Sequence, residues 1–437
     1  MEKNYNQKVS FFKDKENMLE ENLKSIEKIK QENNNLYIKI KELETKNHEL
    51  NSKHNTDNKN PIKLYKTPTL IGLNNIGATC FMNATLQCLS QTKKLTNYFL
   101  KQYHKDTINK NDTQLCSLYY ELIKNLWKIN GEQSFSPYDF MNAINEMNPL
   151  FKLGQAGDSK DFIIFILERL HNELKKPTNR NNNDLVSNEN LNQYDKKNAF
   201  NHFFFDFQNS CSIISDIFFG MTETTNECLF CKYNYNSKNL DNPICYNYQI
   251  FNCLIFPLEE VKNMKNNSMI NNNNNNNYNY NIYNNNNTVS LYDCFYYNQK
   301  TELFTGENKN YCNLCKKLYD SMYTSKIYIC PNVLILILNR GKGNIFKVKL
   351  DFSETIDITQ FVIEKDMPQI IYSLYGVITH IGQSGPNAHF IAACKSPIDN
   401  KWYRYNDAFV TPITNIKNDV IDYGIPYILF YQKNKIK

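Results

Sequence analysis

The order of two hydrophobic periodicities along the chain restricts its fold more than any other feature. Apolar side chains recur at helical spacing in residues 80–91 and 158–176, which predicts two helices that each bury one face. From residue 333 onward the apolar segments are short and rich in β-branched and aromatic residues, and residues 333–338 are apolar throughout, as in a strand buried on both faces. Helices early and strands later favour an α+β domain. Further strands are predicted at residues 372–378, 389–394, 402–405 and 427–431.

Residues 19–50 carry a heptad pattern that the rest of the chain lacks. One seam position contains two Asn residues among aliphatic ones, and the other seam position is aliphatic throughout. This pattern predicts a parallel two-stranded coiled coil weakened by Asn33 and Asn47, which would mediate self-association or bind a partner helix. A single solvated helix is the alternative. We expect residues 1–18 to be disordered and residues 51–66 to form a linker.

Two later segments, residues 177–197 and 262–287, consist almost entirely of polar residues, with long Asn runs in the second. They contain too little apolar surface to offset the entropy of ordering. We therefore expect both segments to be disordered insertions at the protein surface.

Composition and charge exclude several classes of function. The 50 Lys and Arg against 44 Asp and Glu leave a net charge of +6, too small an excess for nucleic acid to be the main partner. The sequence has no run of about 18 apolar residues, so no membrane-spanning helix is expected. The N-terminal residues lack the apolar core of a secretory signal, which favours the cytoplasm or nucleus and reduced cysteines.

Cys80 is the candidate nucleophile. A glycine-containing loop delivers Thr79 and Cys80 to the point where a helical pattern begins. The positive end of the helix dipole favours the thiolate, which is the reactive form of cysteine. A small buried cysteine is the alternative, and catalysis needs a base from elsewhere in the chain.

Of the 7 histidines, His380 and His389 are the candidate bases, because the others lie in the predicted coiled coil or linker or in helical and polar stretches. His389 opens a predicted strand, and the next predicted strand ends at Asn406 and Asp407. A hairpin of this kind can place either of these two side chains beside the imidazole and hold the ring in a catalytic orientation.

Two C-x-x-C pairs, Cys228 with Cys231 and Cys312 with Cys315, have the spacing of a zinc site. Four thiolates leave no open position for water, so we expect a structural Zn²⁺, one per chain. Surface cysteines without a metal are the alternative.

Two long segments resemble the signature motifs of one enzyme family. Residues 72–83, GLNNIGATCFMN, resemble the cysteine box of the ubiquitin-specific proteases, which are papain-like cysteine deubiquitinating enzymes. Residues 375–407 resemble their histidine box, and the resemblance covers roughly residues 68–433 apart from the insertions. It implies a catalytic domain at residues 67–434 with a thumb, a palm and zinc-ribbon fingers, the fingers at about residues 206–325.

The resemblance also implies roles for individual residues. Cys80 would be the nucleophile, His389 the general base and Asn406 the third member of the catalytic triad. Asn75 would donate to the oxyanion of the tetrahedral intermediate together with the backbone N–H of Cys80, and Asp407 would assist.

Substrate contacts are implied at the start of the second predicted helix. Asp158 and Asp161 ordinarily cap a helix or interact with its dipole, but here they match two acids that contact the Arg-rich C-terminal tail of ubiquitin. His380 matches the region that gates the tail channel. The chain departs from the family pattern at Ala388, where Gly is usual, and at Phe390, where Tyr is usual.

The implied function is thiol-dependent hydrolysis of the isopeptide or peptide bond after the C-terminal Gly of ubiquitin, with ubiquitin and ubiquitinated proteins as partners. Two alternatives stay open. The first is a catalytically inactive scaffold that binds ubiquitin, and the second is a hydrolase of another ubiquitin-like modifier.

Overall fold

The computed structural model describes residues 62, 65–104, 114–129, 131–175, 192–208, 210–234, 243–273, 287–340, 348–365, 368–382 and 389–435. The predicted disorder of residues 1–18 and the predicted coiled coil at residues 19–50 lie outside these residues. The predicted linker at residues 51–66 is wrong at its end. Ile62 is 2% exposed and its backbone N–H donates to Asn97 Oδ1 at 3.1 Å, because its side chain joins the main core. The compact unit accordingly begins at residue 61.

The order of elements confirms the α+β class. The α-helices of the described residues are α1 Cys80–Ser90, α2 Lys93–Lys101, α3 Gln114–Leu126, α4 Tyr138–Met147, α5 Ser159–Leu174, α6 Lys196–Gln208, α7 Ile213–Phe218, α8 Leu229–Asn234, α9 Leu258–Asn273 and α10 Leu291–Asn298. The β-strands of the same residues are β1 Gly72–Leu73, β2 Ser134–Phe135, β3 Gly220–Cys228, β4 Ile244–Phe251, β5 Leu254–Pro257, β6 Thr288–Ser290, β7 Thr301–Phe304, β8 Asn310–Cys312, β9 Lys317–Tyr319, β10 Ser321–Ile329, β11 Val333–Asn339, β12 Lys349–Asp351, β13 Thr355–Asp357, β14 Ile371–Ile381, β15 His389–Lys395, β16 Trp402–Asn406, β17 Phe409–Ile413 and β18 Ile425–Lys433. All the predicted strands and both predicted helices are present.

The palm is an eight-stranded sheet with the order β17-β16-β15-β14-β18-β11-β5, in which β13 pairs with the start of β14. Strand β11 confirms the prediction of a strand buried on both faces. Its odd-numbered residues from Val333 to Ile337 join the core on one face, and its even-numbered residues from Leu334 to Leu338 join the core on the other. Because side chains alternate between the faces of a strand, only an unbroken apolar run fills both cores.

Helix α1 lies buried between the other thumb helices and the palm sheet. On one side the Phe81 ring packs against Phe151 and Phe162, with centroids 6.0 Å from each. On the other side Cys88 Sγ lies 3.5 Å from Cys394 Sγ of β15. Every residue of α1 is buried, and the polar side chains among them are hydrogen-bonded, for example Gln87 Nε2 to the Ile71 carbonyl at 3.0 Å. The packing holds α1, which starts at Cys80, against the strand that carries His389.

The fingers consist of the four-stranded sheet β4-β3-β10-β7 and the hairpin β8–β9. Residues 254–273 and 287–298 are separate from them, so the predicted range of 206–325 for the fingers is wrong for these two segments. Strand β5 pairs in parallel with β11 of the palm, and Phe256 and Phe295 are both fully buried in the palm core. The apolar residues of these segments explain the difference, because the palm core buries them.

The predicted disorder of residues 262–287 is wrong for residues 262–273, which continue α9. Leu258 at the start of α9 is fully buried in the palm core, and Lys265 Nζ lies 2.8 Å from Asp293 Oδ2 of α10. These contacts fix the first turns of the helix, and the Asn-rich sequence then extends it. Packing by a few residues thus overrides the low helix propensity of Asn.

The predicted disorder of residues 177–197 is wrong at its C-terminal end. The backbone carbonyl of Gln193 accepts a hydrogen bond from Tyr246 N–H of β4 at 2.8 Å, and Lys196 begins α6. The polar composition does not predict this main-chain contact with the edge of a sheet.

Among the described residues, no helix combines the length and apolarity needed to cross a membrane.

Candidate active site

The loop between β1 and α1 places Cys80 at the first turn of α1. Asn75 Oδ1 accepts hydrogen bonds from the backbone N–H groups of Gly77 at 3.3 Å and Thr79 at 3.0 Å. Gly77 has a φ of +130°, which other residues rarely adopt, and its carbonyl accepts from Gly154 N–H at 3.0 Å. Hydrogen bonds within the loop therefore fix its conformation, and the bond to Gly154 attaches it to the segment before α5. Cys80 is 8% exposed.

Cys80, His389 and Asn406 converge although they come from α1, the start of β15 and the end of β16. The Cys80 side chain lies near enough to the His389 ring to raise the pKa of the imidazole. His389 Nε2 lies 2.7 Å from Asn406 Oδ1, and Nε2 is the donor because an amide oxygen only accepts. Of the two residues that the sequence left open as partners of the imidazole, Asn406 is the one that binds it.

These contacts raise the pKa of His389 from 6.5 to about 9. The interaction with the Cys80 side chain is the largest cause, the bond to Asn406 and the negative charge of Asp407 add to it, and burial opposes it. The protonated imidazolium is therefore favoured at neutral pH.

The carboxylate of Asp407 holds two side-chain amides. Its Oδ2 accepts from Asn75 Nδ2 at 3.0 Å, and its Oδ1 accepts from Asn83 Nδ2 at 2.8 Å. Asp407 has a φ of +48° in the turn between β16 and β17, and its backbone carbonyl accepts from Leu73 N–H at 2.9 Å. The residue thus joins the β16–β17 hairpin to β1, to α1 and to the amide of Asn75.

Asn83 is a site residue that the sequence patterns did not indicate. It is 2% exposed, and its Nδ2 also reaches the carbonyl oxygens of Leu73 and Asn74, each at 3.3 Å. Its position three residues after Cys80, on the same side of α1, is the one signal that points to it. Through Asp407 and these carbonyls, Asn83 fixes the β1 segment against the start of α1.

A second group of side chains lies next to His389. Asp158 is the N-cap of α5, and its Oδ1 accepts from Lys160 N–H at 2.7 Å while its Oδ2 accepts from the Tyr427 hydroxyl at 2.6 Å. Burial lowers the pKa of His380, the neighbouring His389 lowers it further, and Asp158 opposes both effects. His380 is therefore neutral beside a positively charged His389. Tyr427, which connects this group to β18, was not indicated by the sequence.

The remaining predicted contacts differ in their surroundings. Asp161 is half-exposed, and its Oδ1 lies 3.5 Å from Lys160 Nζ. Phe390, the residue that departs from the family pattern, is buried, with its ring centroid 5.1 Å from His380 and 5.3 Å from Tyr427. The Phe390 ring therefore packs between the rings of His380 and Tyr427, next to His389. Ala388 lies outside the described residues.

The four predicted metal ligands come together in the fingers. The sulfurs of Cys228, Cys231, Cys312 and Cys315 all lie within 4.8 Å of one another. Cys231 Sγ is 3.7 Å from Cys312 Sγ, and Cys228 Sγ is 4.0 Å from Cys315 Sγ. A tetrahedron of sulfurs at about 2.3 Å from zinc has edges of about 3.8 Å, so the donor set and its spacing fit a closed site.

Comparison with curated proteins gives relatives over most of the chain. Ubiquitin carboxyl-terminal hydrolase 2 of Rattus norvegicus is 27% identical over 372 residues, which cover 83% of this chain and 54% of the relative. Ubiquitin carboxyl-terminal hydrolase 21 of Mus musculus is 26% identical over 386 residues, which cover 83% of this chain and 61% of the relative. The chain thus spans little more than half the length of these relatives.

Comparison with solved structures supports the fold. The chain is similar to a chain of the SAGA Ubp8/Sgf11/Sus1/Sgf73 DUB module bound to ubiquitin aldehyde, with a TM-score of 0.58 and 20% identity over 85% of this chain and 71% of that chain. The family model described as ubiquitin carboxyl-terminal hydrolase matches residues 71–431, which include Cys80, His389 and Asn406. With the cysteine at a helix start, the histidine and the asparagine in contact, this chain belongs to the ubiquitin carboxyl-terminal hydrolase family.

Proposed function

We propose that this chain is a thiol-dependent deubiquitinase that hydrolyses the isopeptide or peptide bond after the C-terminal Gly of ubiquitin. The observation that carries the proposal is the contact of Cys80 with His389, whose ring also donates to Asn406. A nucleophile, a base and a group that orients the base are the parts that acyl transfer by a cysteine requires. Membership of the family supplies the substrate class.

The first half of the reaction forms a thioester. The Cys80 sulfur attacks the carbonyl carbon of the C-terminal Gly, and negative charge develops on the carbonyl oxygen. The Cys80 backbone N–H and Asn75 Nδ2 donate to this oxygen. A primary amide has two N–H groups, so Asn75 can use one for Asp407, 3.0 Å away, and the other for the substrate. The His389 imidazolium then protonates the leaving amine.

The second half of the reaction releases ubiquitin. His389 is now neutral and accepts a proton from a water molecule as the water oxygen attacks the thioester carbonyl. The same two donors stabilise the second oxyanion. Collapse of this intermediate breaks the carbon–sulfur bond, which expels the Cys80 thiolate beside protonated His389, and the carboxylic acid of ubiquitin loses its proton to solvent to become the free carboxylate. Asn406 Oδ1, which lies 2.7 Å from His389 Nε2, holds the orientation of the imidazole ring during both proton transfers.

The acids at the start of α5 provide contacts for the Arg-rich tail. Asp158 accepts from Tyr427 and from the helix backbone, so an incoming guanidinium shares or replaces the Tyr427 hydroxyl. Asp161 presents a half-exposed carboxylate on the same face of α5. Because His380 is neutral, it adds no positive charge that would repel Arg.

The four cysteines of the fingers are proposed to hold one structural Zn²⁺. Thiolates are the ligands that zinc prefers in structural sites, and the sulfur spacing suits tetrahedral coordination. A bound zinc would cross-link the end of β3 to the β8–β9 hairpin, two parts of the chain with little apolar core of their own. Its role is to stabilise the fingers.

Covalent capture by ubiquitin bearing a C-terminal electrophile tests the proposed activity. Wild-type protein is expected to form a stable adduct one ubiquitin heavier, and Cys80→Ser is expected to form none. The absence of an adduct from folded, zinc-loaded wild type would refute the enzyme and favour a ubiquitin-binding scaffold. Preferential capture by the matching probe of another ubiquitin-like modifier would refute ubiquitin as the substrate.

A further inference from the structure

An exposed aromatic residue stands beside the catalytic hydrogen bond. Phe409 is 76% exposed, more than any other large hydrophobic residue among those the structure describes. It pairs with Asn406 across the β16–β17 ladder. Residues directly opposite in an antiparallel pair point to the same face, with Cβ atoms about 4.5–5.5 Å apart. The Phe409 ring therefore flanks the side chain that holds His389.

The order of strands in the palm sheet separates two sides of the active site. Strand β15, which begins at His389, has β14 and β18 on one side and β16 and β17 on the other. The side chains next to the proposed tail channel, His380 of β14 and Tyr427 of β18, both lie on the first side. Phe409 begins β17, at the opposite edge of the sheet. If the ubiquitin tail arrives over β14 and β18, the leaving-group side of the scissile bond faces the strands β16 and β17, where Phe409 lies.

The hairpin that carries Phe409 is held firmly in place. The backbone of Asp407 accepts from Leu73 N–H at 2.9 Å, and its carboxylate accepts from two side-chain amides at 2.8 Å and 3.0 Å. Pro412 restricts the outer strand further along. An aromatic ring on a fixed support contacts a partner at a low entropic cost, which is why such residues dominate binding energy at interfaces.

We propose that Phe409 binds the lysine-bearing segment of the acceptor protein, on the leaving-group side of the scissile bond. The four-carbon stem of the modified lysine and its apolar neighbours would pack on the ring. Phe409 thereby selects protein conjugates over substrates whose leaving group is a small molecule. This inference rests on the proposed function, because it names the acceptor side of the same reaction.

The ratio of kcat/KM for two substrates tests the role of Phe409. One substrate is di-ubiquitin joined by an isopeptide bond, and the other is ubiquitin carrying an aminocoumarin in place of the lysine. Phe409→Ser is expected to lower the di-ubiquitin to coumarin ratio about tenfold, as the loss of an interface aromatic does. Phe409→Leu, which keeps an apolar surface, is expected to restore most of the ratio.

Ile255→Ser is the matched control, because Ile255 is 42% exposed on β5, the other edge of the same sheet. Its ratio is expected to equal that of wild type. An unchanged ratio for Phe409→Ser overturns the inference, whether both activities persist or both fall together, since a joint fall would assign Phe409 to the support of Asn406. Failure of wild type to cleave either substrate would instead overturn the proposed function.

Discussion

Asp407 accepts a hydrogen bond from Asn75, the proposed oxyanion donor, and removal of its carboxylate tests whether it orients that donor. The carboxylate is the acceptor for Asn75 Nδ2 at 3.0 Å and for Asn83 Nδ2 at 2.8 Å. In Asp407→Ala both amides lose a charged partner, and each such hydrogen bond contributes about 1.5–3 kcal/mol. Asn75 still bonds the loop backbone through its Oδ1, but the direction of its N–H groups is no longer fixed.

The size of the effect follows from the donor that is lost. Asn75→Ala removes one oxyanion donor outright, which costs about 10²–10³ in kcat. Asp407→Ala is expected to cost about 10², because it misdirects the same donor. If Asp407 acts through Asn75, the double variant loses about as much as Asn75→Ala alone. Independent contributions would multiply to about 10⁴ or more.

The assay is steady-state hydrolysis of ubiquitin–aminocoumarin by the wild type, both single variants and the double variant, below the melting temperature of each. Asp407→Asn is the control, since it keeps one acceptor oxygen at the same place and is expected to retain more activity than Asp407→Ala. A double variant as slow as the product of the two single effects would show that Asp407 does not work through Asn75. So would an Asp407→Ala enzyme that loses stability but keeps its kcat within about twofold.

Three further outcomes are expected. The kcat/KM for ubiquitin–aminocoumarin should fall as the pH rises through about 9, because the required imidazolium of His389 has its pKa raised to about 9; a fall near the ordinary value of 6.5 would contradict this. Replacing Cys228 and Cys231 together by Ser should abolish the proposed zinc binding, measured by metal analysis, and lower the melting temperature; unchanged zinc content would rule out the site. Gly72→Ala should destabilise the fold by roughly 1–3 kcal/mol in denaturant unfolding, because its Cβ would meet the backbone oxygen of Ala408; wild-type stability would show that the hairpin can move away.

The elements with strong periodicity and the residues inside long motifs could be predicted from the sequence. The apolar pattern of helix α5 predicts a single buried stripe, and the apolar run of strand β11 predicts burial on both faces. Cys80 and His389 lie in motifs whose residue types and order are specific to acyl transfer by a cysteine. The choice between Asn406 and Asp407 was open, because both residues end the same strand and only the turn geometry separates them.

The remaining features depend on contacts between distant parts of the chain. Asn83 and Tyr427 are ordinary residues in a helix and a strand, and their roles arise only when Asp407 and Asp158 are brought to them. Residues 262–273 of α9 were predicted to be disordered because their composition is polar, whereas a few buried residues at the start of the helix decide their structure. The extent of the fingers was overestimated because β5 pairs with a strand that lies far away in the sequence.

The thumb and the palm share one apolar cluster, to which Phe81 of α1 and Tyr405 of β16 both belong. The fingers rely in part on small clusters of their own, one around Met221 and Tyr248 and one around the four cysteines, while Ile327 of β10 joins the palm core. Backbone amides at the cysteine-bearing end of β3 are therefore expected to exchange with solvent through openings that leave α1 in place. A chelator that removes the proposed zinc is expected to increase the exchange rate at that end of the fingers before it affects the amides of α1.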